Sequence, residues 1–410
     1  MILQHIGRAL RHRNYRLFFA GQGISLIGTW MQRVAMNWLV YRLTGSPLLL
    51  GVVNFTSQAP TLLFTPVAGV IADRYDRHRL LVITQAMAML QAAVIAVLVL
   101  TNAIAVWQLV LLGLFLGMVN AFDAPIRQSL IVDMIESRED LGNAIALNSS
   151  MMNGARLVGP SLAGMLIATV GEGMCFLLNA VSYVAVIAAL MAMSMAQKKM
   201  RAQRPQLWEA WREGVSYAFG SPPIRSVLLL LAVVSFLGMP YATLLPIFAR
   251  EVLHGDAQTL GFLMGAAGIG ALAGAMFLAS RDGVLGLETV LVVAAVIFGT
   301  GLIGFSLSPV FWVSCGLMIV SGFGMMVHMA AANTLVQTLV DDDKRGRVMS
   351  LHTMSVRGMV PLGSLMAGGL ASQIGAPETV TLGGLCCVLG ALIFASRRAA
   401  SKAPAASQPQ

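Results

Sequence analysis

The chain has 410 residues, of which 57% are hydrophobic and 11% charged, and its mean hydropathy is +0.77. Soluble domains carry roughly 25% charged residues, so this composition excludes an ordinary soluble protein. The net charge of +9 comes from basic residues spread over short loops. That distribution is an orientation signal for a membrane protein and gives no reason to expect a nucleic-acid partner.

Apolar runs long enough to cross about 30 Å of hydrocarbon, roughly 20 residues each, recur along the chain. Helices are expected because a helix satisfies its own backbone in lipid, and the alternating segments of a β-barrel are not visible. The basic start has no small-residue cleavage site and predicts a retained first helix. The predicted spans are 16–42, 47–71, 79–100, 105–131, 141–169, 173–195, 224–249, 257–279, 286–306, 309–339, 347–373 and 378–396.

The basic residues follow these spans closely. Twenty-one of the 27 Lys and Arg residues fall in segments that the twelve spans place on one side, and only Arg42 and Arg250 fall on the other. This bias predicts that both termini are cytoplasmic. We therefore predict an all-α membrane protein with twelve transmembrane helices in two six-helix bundles, residing in a bacterial inner membrane.

The first span carries a polar stripe. Its members recur every three or four residues and cover about a third of the helix circumference, so they must face protein or water. An arginine in this stripe is expensive in lipid unless the protein uses it. Trp30 and Trp38 lie nearby and could stack on aromatic rings. The stripe consists of Gln22, Ser25, Thr29, Arg33 and Asn37.

The loop between the second and third spans reads GVIADRYDRHR. A glycine here allows close helix approach, and a carboxylate at a helix end inside a basic cluster can act as a charge latch between helices. The alternative is a basic turn that only sets topology. The latch residues are Gly69, Asp73, Arg74 and Arg77.

The fourth span contains Asp123 and Arg127 at i, i+4 with the acid first, which is the favourable order for a helical ion pair. Pro125 between them predicts a kink. Asp123 is the one acid in the interior of a predicted span, since Glu288 and Glu378 stand at span ends. It is either a proton carrier or a static partner of the Arg74 and Arg77 latch.

The fifth span contains ARLVGPSLAG, in which small residues four apart allow two helices to pack backbone to backbone. Pro160 removes one backbone hydrogen bond and bends the helix. The simpler interpretation is generic small-residue packing at Gly159 and Gly164. On one face the same span also carries Ser149, Asn153 and Arg156.

The organisation of the chain follows from these spans. We predict an N-terminal bundle at 1–195, a cytoplasmic linker at 196–223, a C-terminal bundle at 224–396 and a disordered cytoplasmic tail at 397–410. An amphipathic helix in the linker should lie along the membrane surface, or else bind a partner. Its apolar face would comprise Trp208, Trp211, Val215 and Phe219.

The two halves echo each other: Leu147, Gly159 and Gly164 recur 204 residues later as Leu351, Gly363 and Gly368. Duplication of a six-helix unit is typical of a rocking transporter with its site between the halves.

The second half adds further intramembrane polar groups. Ser350, Thr353 and Arg357 share a face of the eleventh span, and His328 lies in the tenth. His328 titrates near neutral pH, but it is equally explained as a satisfied interior histidine. Cysteine spacing gives no metal site, and no cofactor is expected.

These motifs resemble those of the major facilitator superfamily. The loop after the second span is similar to its signature G-x-x-x-D-R-x-x-R-R/K, and Gly159, Pro160 and Gly164 resemble its antiporter motif. The stretches RNYRLFFAGQGISLIGTWMQRVAMNWLVYRLTGSPLLLG and DAPIRQSLIVDMIESREDLGNAIALNSSMMNGARLVGPSLAG look like the branch of the enterobactin exporter and the macrolide efflux proteins. The resemblance covers roughly residues 10–395.

The resemblance implies proton-driven efflux, with spans one, five and eleven lining a central cavity. There Arg33, Arg156 and Arg357 would converge, which favours an anionic or catechol-bearing cargo because a desolvated charge needs a partner. We therefore predict a monomeric proton antiporter exporting a siderophore-like small molecule across the lipid bilayer. The alternative is macrolide or multidrug efflux. A membrane enzyme or a channel is a remote alternative, since neither catalytic motifs nor a phosphate loop occur.

Overall fold

The computed structural model describes residues 7–135, 137–194, 207–281, 283–341 and 343–402. The predicted linker residues 196–206 and the predicted tail beyond 402 lie outside this description. Within the described ranges, the side chains that are not described are those of Pro66, Gly69, Val70, Ala72, Asp73, Arg138, 207–211 and 399–402.

All regular structure in these ranges is helical, which confirms the predicted all-α membrane fold. Fourteen of the fifteen α-helices in these ranges are long enough to span a membrane or form part of an interrupted span, and the predicted boundaries err by a few residues. The helices are α1 Arg13–Thr44, α2 Pro47–Arg74, α3 Arg77–Leu100, α4 Val106–Met134, α5 Arg138–Val170, α6 Glu172–Met191, α7 Leu207–Gly220, α8 Pro222–Val233, α9 Tyr241–Ile247, α10 Ala257–Ala279, α11 Leu287–Leu307, α12 Phe311–Leu339, α13 Arg345–Arg357, α14 Met359–Ile374 and α15 Ala376–Lys402.

Local sequence sets the helix ends in the first half. Gly45 adopts a left-handed conformation with φ of 57° and ends α1. The Ser46 hydroxyl accepts a hydrogen bond from the Leu49 backbone N–H at 3.3 Å, and Pro47 occupies the first position of α2. Asp76 caps α3 by accepting from the backbone N–H groups of His78 and Arg79. The chain therefore reverses between spans in short, capped turns.

Two predicted spans are interrupted. The seventh consists of α8 and α9, with π-helical turns at Val234–Gly238 and Phe248–Val252. Such turns occur as π-bulges inside longer helices. The eleventh breaks at Gly358 into α13 and α14. Pro361 explains that break, because a proline ring clashes with the carbonyl four residues earlier, here that of Arg357.

Nine helical segments of the described residues are apolar and long enough to cross a membrane. The predicted first, fifth and eleventh spans are the ones that fall short, and they are the spans that carry Arg33, Arg156 and Arg357. Helices that line a polar interior need less apolar surface than helices that face lipid. The apolar segments are Pro47–Thr65, Arg77–Leu100, Val106–Met134, Glu172–Met191, Pro222–Val252, Ala257–Ala279, Leu287–Leu307, Phe311–Leu339 and Ala376–Arg398.

The chain divides into two compact units, of which the first comprises 1–204 and 246–265. In it α1 packs against α5 and α6, α2 against α4, and α3 against α4 and α6. The short segment 246–265, which ends the seventh span and begins the eighth, belongs to this unit together with the first six spans.

The second unit comprises 205–245 and 266–410. Here α11 packs against α12 and α15, and the predicted linker helix exists as α7. Glu213 of α7 pairs with Lys344 and Arg347, and the Tyr217 hydroxyl donates to Asp341 at 2.9 Å. These contacts hold α7 against the segment that joins α12 to α13.

The predicted disordered tail is wrong for its first residues. Helix α15 continues to Lys402, because Arg398 pairs with Glu288 at 2.5 Å and donates to the Thr289 hydroxyl at 3.0 Å. Alanines at 399 and 400 also favour helix over coil.

Candidate functional site

Two arginines of the first unit meet at one tryptophan. The guanidinium carbon of Arg33 lies 4.7 Å from the centre of the Trp30 ring, and that of Arg156 lies 5.7 Å from the same centre. Both distances fit cation–π contacts. Helices α1 and α5 pack side by side, so the expected convergence of Arg33 and Arg156 is present in the structure.

The side chain of Arg33 is exposed although it lies in the middle of α1. No carboxylate of the described residues forms an ion pair with it. Its face stacks on Trp30, which leaves the N–H edge of the guanidinium free to donate hydrogen bonds. Arg33 is therefore placed as a cation that a ligand can reach.

Arg33 borders a polar cavity of about 80 Å³. Side chains of α1, α2, α4 and α6 line it, and a cavity this large has room for several water molecules, since one water needs roughly 10–15 Å³. Its polar lining comprises Thr29, Gln32, Arg33, Asn37, Asn54, Ser57, Gln58, Asn120, Asn179 and Tyr183.

The predicted stripe on α1 divides between this cavity and the protein interior. Gln22 and Ser25 are 3% and 1% exposed and pack inside the bundle. Thr29, Arg33 and Asn37 face the cavity. The Asn37 side-chain oxygen accepts a hydrogen bond from the Asn54 amide of α2 at 2.9 Å, which fixes its orientation.

A chain of buried side-chain amides, which the sequence analysis did not predict, lies beside the cavity. The Gln32 amide donates to the Gln91 side-chain oxygen at 2.9 Å, and the Asn179 amide donates to the Gln32 side-chain oxygen at 2.6 Å. The Gln91 amide donates to the Leu112 carbonyl at 3.2 Å. The three residues belong to three different helices, α1, α3 and α6, so only the fold shows that they meet and satisfy one another.

Asp123 is 6% exposed and lies in a hydrogen-bonded nest between α3 and α4. Its Oδ2 lies 3.4 Å from Arg127, while its Oδ1 accepts from the Gln85 amide at 2.6 Å and the Thr84 hydroxyl at 3.2 Å. The local pair expected from the i, i+4 spacing is thus present. Arg74, the other partner considered, is exposed to solvent.

The signature loop lies between α2 and α3, and its Arg77 connects the start of α3 to the end of α4. Arg77 pairs with Asp133 of α4 at 3.1 Å, and Asp76 caps α3. The side chains of Gly69 and Asp73, which the latch interpretation includes, lie outside the described residues. The described part of the loop therefore links two neighbouring helices of the first unit through Arg77.

The antiporter-like motif makes two close helix contacts. A Cβ added at Gly159 would come 2.5 Å from the Trp30 Cβ, so this glycine lets α5 approach the cation site. A Cβ at Gly164 would lie 2.9 Å from the Ala257 carbonyl oxygen and 3.0 Å from the Gly261 Cα. The motif therefore packs α5 against both α1 and α10, as small residues do in membrane helices.

A second contact lies near the same end of the unit. The hydroxyl of Tyr41, which is buried near the end of α1, donates to the carboxylate of Glu251 in the second π-helical turn. Arg42 pairs with Glu172 of α6 at 2.7 Å. This end of the first unit is thus closed by polar contacts and by the glycine packing of α5 on α10.

The remaining predicted site residues are placed differently. His328 is fully buried between α11 and α12, and its Nδ1 bonds the Leu291 carbonyl at 3.2 Å. That packing keeps it from solvent, so the structure does not bring it into a binding site. Arg357 is exposed at the end of α13 in the second unit, and Asn153 is half-buried on α5.

The chain is similar in sequence to known membrane transport proteins. The family described as transmembrane secretion effector, of the major facilitator superfamily, matches residues 8–409. The staphyloferrin A transporter of Staphylococcus aureus is 26% identical, covering 92% of this chain and 95% of that protein. Macrolide efflux protein A of Streptococcus pyogenes is 22% identical, covering 93% and 96%.

A solved structure shows the same fold. A bacterial homologue of the iron transporter ferroportin, in an inward-facing state, superposes with a TM-score of 0.73 at 18% identity and covers 94% of this chain and 98% of that one. The fold and the family matches agree with the predicted superfamily.

Proposed function

Because the chain belongs to the major facilitator superfamily, in its transmembrane secretion effector family, and is a multi-pass exporter of that superfamily, we propose that it expels a siderophore-like anionic small molecule in exchange for protons. The likeness to the staphyloferrin A transporter supports a siderophore cargo. The likeness to macrolide efflux protein A makes macrolide efflux the second candidate.

The observation that carries this proposal is the pair of guanidinium groups against Trp30, at 4.7 and 5.7 Å from its ring. Two cations held against one ring inside a membrane favour an anion beside them, because the anion offsets their charge. A cargo without a negative charge would gain nothing from them. We propose that Arg33, Arg156 and Trp30 bind the anionic part of the cargo and that Asn37 and Asn153 orient it, with Arg357 contributing from the second unit.

Asp123 is the proposed proton carrier. Protonation removes its charge and so weakens the 3.4 Å pair with Arg127, while Oδ1 can keep its hydrogen bonds from Thr84 and Gln85. A carboxylate in such a nest can switch charge without losing its position. Release of Arg127, near the Arg77 link between α3 and α4, would then pass the change to the cytoplasmic ends of these helices.

Alternating access requires contacts that form and break as one set. We propose that the packing of Gly159, Pro160 and Gly164 on neighbouring helices, together with the Tyr41–Glu251 hydrogen bond, closes the extracytoplasmic end of the first unit. A rocking motion would open it for release. The positions of the basic residues favour cytoplasmic termini in a bacterial inner membrane, and we expect the protein to work as a monomer.

The test has two arms. In the source bacterium, deletion of the gene should lower secreted siderophore under iron limitation and leave macrolide susceptibility unchanged; the reverse result would favour the second candidate. In inverted vesicles with a pH-sensitive dye, cargo should drive proton movement in the wild type. Arg33→Gln should raise the cargo KM about 10- to 100-fold, the loss expected for one charge-assisted hydrogen-bonded contact, and Arg16→Gln on the exposed start of α1 serves as the matched control.

A further inference from the structure

The polar cavity of the first unit has a simple charge composition. Among the described residues, Arg33 is the one charged side chain that lines it, and none of these lining residues carries a carboxylate. A lone guanidinium at the wall of a small cavity favours one negatively charged oxygen group. Because the Arg33 guanidinium lies over the Trp30 ring and makes no hydrogen bond or ion pair with a described residue, its N–H groups remain available for bidentate binding of a carboxylate.

The rest of the lining offers uncharged donors and acceptors. Asn120 of α4 is exposed to the cavity and forms no hydrogen bond with a described residue. The Gln58 amide donates to the Asn54 carbonyl at 3.3 Å, which leaves the Gln58 side-chain oxygen free to accept. Asn37 accepts with its oxygen, so its amide N–H groups remain available. A ligand hydroxyl both donates and accepts, and this set of amides can satisfy both roles.

The size of the cavity and its lack of aromatic surface further restrict the kind of ligand that it can bind. A cavity of about 80 Å³ admits one arm of a cargo molecule rather than a whole siderophore or macrolide. Among the described lining residues Tyr183 is the one aromatic side chain, and its hydroxyl lies 3.5 Å from that of Thr29. A catechol ring would find no open aromatic face here, whereas an aliphatic chain with a carboxylate and a hydroxyl would find partners for both groups.

We propose that this cavity is a binding subsite for one hydroxycarboxylate arm of the cargo, with Arg33 holding the carboxylate and Asn37, Gln58 and Asn120 holding the hydroxyl. The proposal rests on the proposed function only in that the cargo is anionic. It narrows the cargo to a hydroxycarboxylate rather than a catecholate, and it adds Asn120 and Gln58 to the cargo-binding residues.

The experiment measures binding to the full-length protein purified in detergent, without transport. Citrate is titrated as a simple hydroxycarboxylate, tricarballylate as the same skeleton without the hydroxyl, and 2,3-dihydroxybenzamide as a catechol that lacks a carboxylate, all at matched ionic strength. Trp30 fluorescence and the thermal midpoint report occupancy, because a ligand on Arg33 alters the group that lies over that ring. Citrate should bind most tightly, tricarballylate several-fold more weakly, and dihydroxybenzamide should have no effect that depends on Arg33.

Substitutions of the lining residues test whether citrate binds in this cavity. Arg33→Gln should weaken citrate binding at least tenfold, Arg33→Lys should fall between it and the wild type because it keeps the charge without the fork, and Asn120→Leu should remove the advantage of citrate over tricarballylate. Arg16→Gln should bind as the wild type. Equal citrate binding by wild type and Arg33→Gln, absence of citrate binding by the folded wild type, or Arg33-dependent binding of dihydroxybenzamide would each overturn the proposal. Citrate binding in a protein that moves no protons would retain the subsite and reject proton antiport.

Discussion

Gly159 of α5 lies directly against Trp30 of α1: a Cβ added to this glycine would come 2.5 Å from the Trp30 Cβ and 3.0 Å from the Ile27 carbonyl oxygen. The small-residue motif and the arginine pair are therefore parts of one arrangement. The motif sets the distance between α1 and α5, and that distance decides where the Trp30 ring sits between Arg33 and Arg156.

The first prediction follows from this contact. Gly159→Ala should push α1 and α5 apart at Trp30, because the Ile27 backbone on the other side of the added methyl group cannot move away as a flexible side chain could. We expect cargo KM to rise about tenfold or more, since shifts near 1 Å in a binding geometry can cost up to about 100-fold. Transport kinetics in vesicles measure this.

Gly154 supplies the control on the same helix. A Cβ at Gly154 would meet nothing within 4 Å, so Gly154→Ala should leave KM unchanged. Equal effects of the two substitutions would indicate a general loss of helix flexibility and contradict the role given to Trp30.

The second prediction concerns the closed end of the first unit. In Gly164→Ala the added methyl group would face the backbone of Ala257 and Gly261 at about 3 Å, and neither can yield without moving α10 away from α5. The contact should therefore open. Ser161→Cys, placed where α5 faces Gly265, should become more reactive towards a membrane-impermeant maleimide added from outside when Gly164→Ala is present.

Gly369→Ala on α14 is the matched comparison, because nothing lies within 4 Å of an added Cβ there. If it raises the labelling of Ser161→Cys as much as Gly164→Ala does, the packing of α5 on α10 is not what closes this end.

The third prediction addresses the proton. Asp123→Asn keeps an oxygen that can accept from Thr84 and Gln85, but it cannot take up a proton and leaves Arg127 without its carboxylate. Cargo-driven proton flux in vesicles should disappear, while cargo binding to the purified protein should persist.

Glu172→Gln is the control for this prediction, because it also leaves an arginine without its carboxylate partner and so shows how much of the effect comes from lost stability. Glu172 and Asp123 have equally buried side chains, at 9% exposure, and each pairs with one arginine. Both substitutions should lower the thermal midpoint, but only Asp123→Asn should uncouple the protons; uncoupling by Glu172→Gln as well would assign the loss to reduced stability.

The fourth prediction concerns pH and helix α7. The hydrogen bond with Lys344 holds the pKa of Glu213 below its ordinary value of 4.5, and the same contact holds the pKa of Lys344 above its ordinary 10.5. The contribution of Glu213 is therefore present above pH 4.5 and is lost as pH falls through its lowered pKa. The contribution of Lys344 is present below pH 10.5 and is lost as pH rises through its raised pKa.

Docking of α7 should accordingly be strongest between those limits. Hydrogen exchange of the α7 amides, corrected for the intrinsic effect of pH, should show protection throughout this range, and Glu213→Gln should reduce it at pH 7. The effect should be no more than a few-fold, because Glu213 is exposed and Lys344 is only half-buried, so solvent screens the pair. Arg212→Gln, one residue earlier and also exposed, should leave protection unchanged.

Periodicity predicted the spans well because it reflects the length of the hydrocarbon region, which every span must satisfy. It could not predict the π-helical turns around Val234 or the break at Gly358, since these depend on how one helix meets its neighbours. The pairing of Asp123 with Arg127 followed from i, i+4 spacing, a property of one helix. Its bonds to Thr84 and Gln85 of α3 did not, because spacing along a chain does not show which helices become adjacent.

The cavity residues divide in the same way into those that the sequence could predict and those that it could not. Arg33 and Asn37 stand out in the sequence because they belong to a repeated stripe, whereas Asn120, Asn179 and Gln91 are scattered polar residues of mostly apolar helices. A lone amide in a span can bond its own helix, a neighbour or a ligand. Only the packing of α1, α2, α4 and α6 distinguishes these cases.

The weak apolar character of three helices also bears on how the protein is made. An arginine at the centre of a span opposes insertion by about 2.5 to 3.5 kcal/mol, and Arg33 lies in α1, which leaves the ribosome before the other spans described above. Its partners α5 and α6 are synthesised well over a hundred residues later. Helix α1 must therefore wait at the translocon or among lipid headgroups until they arrive, which makes the interval between the first and sixth spans the vulnerable period of biogenesis.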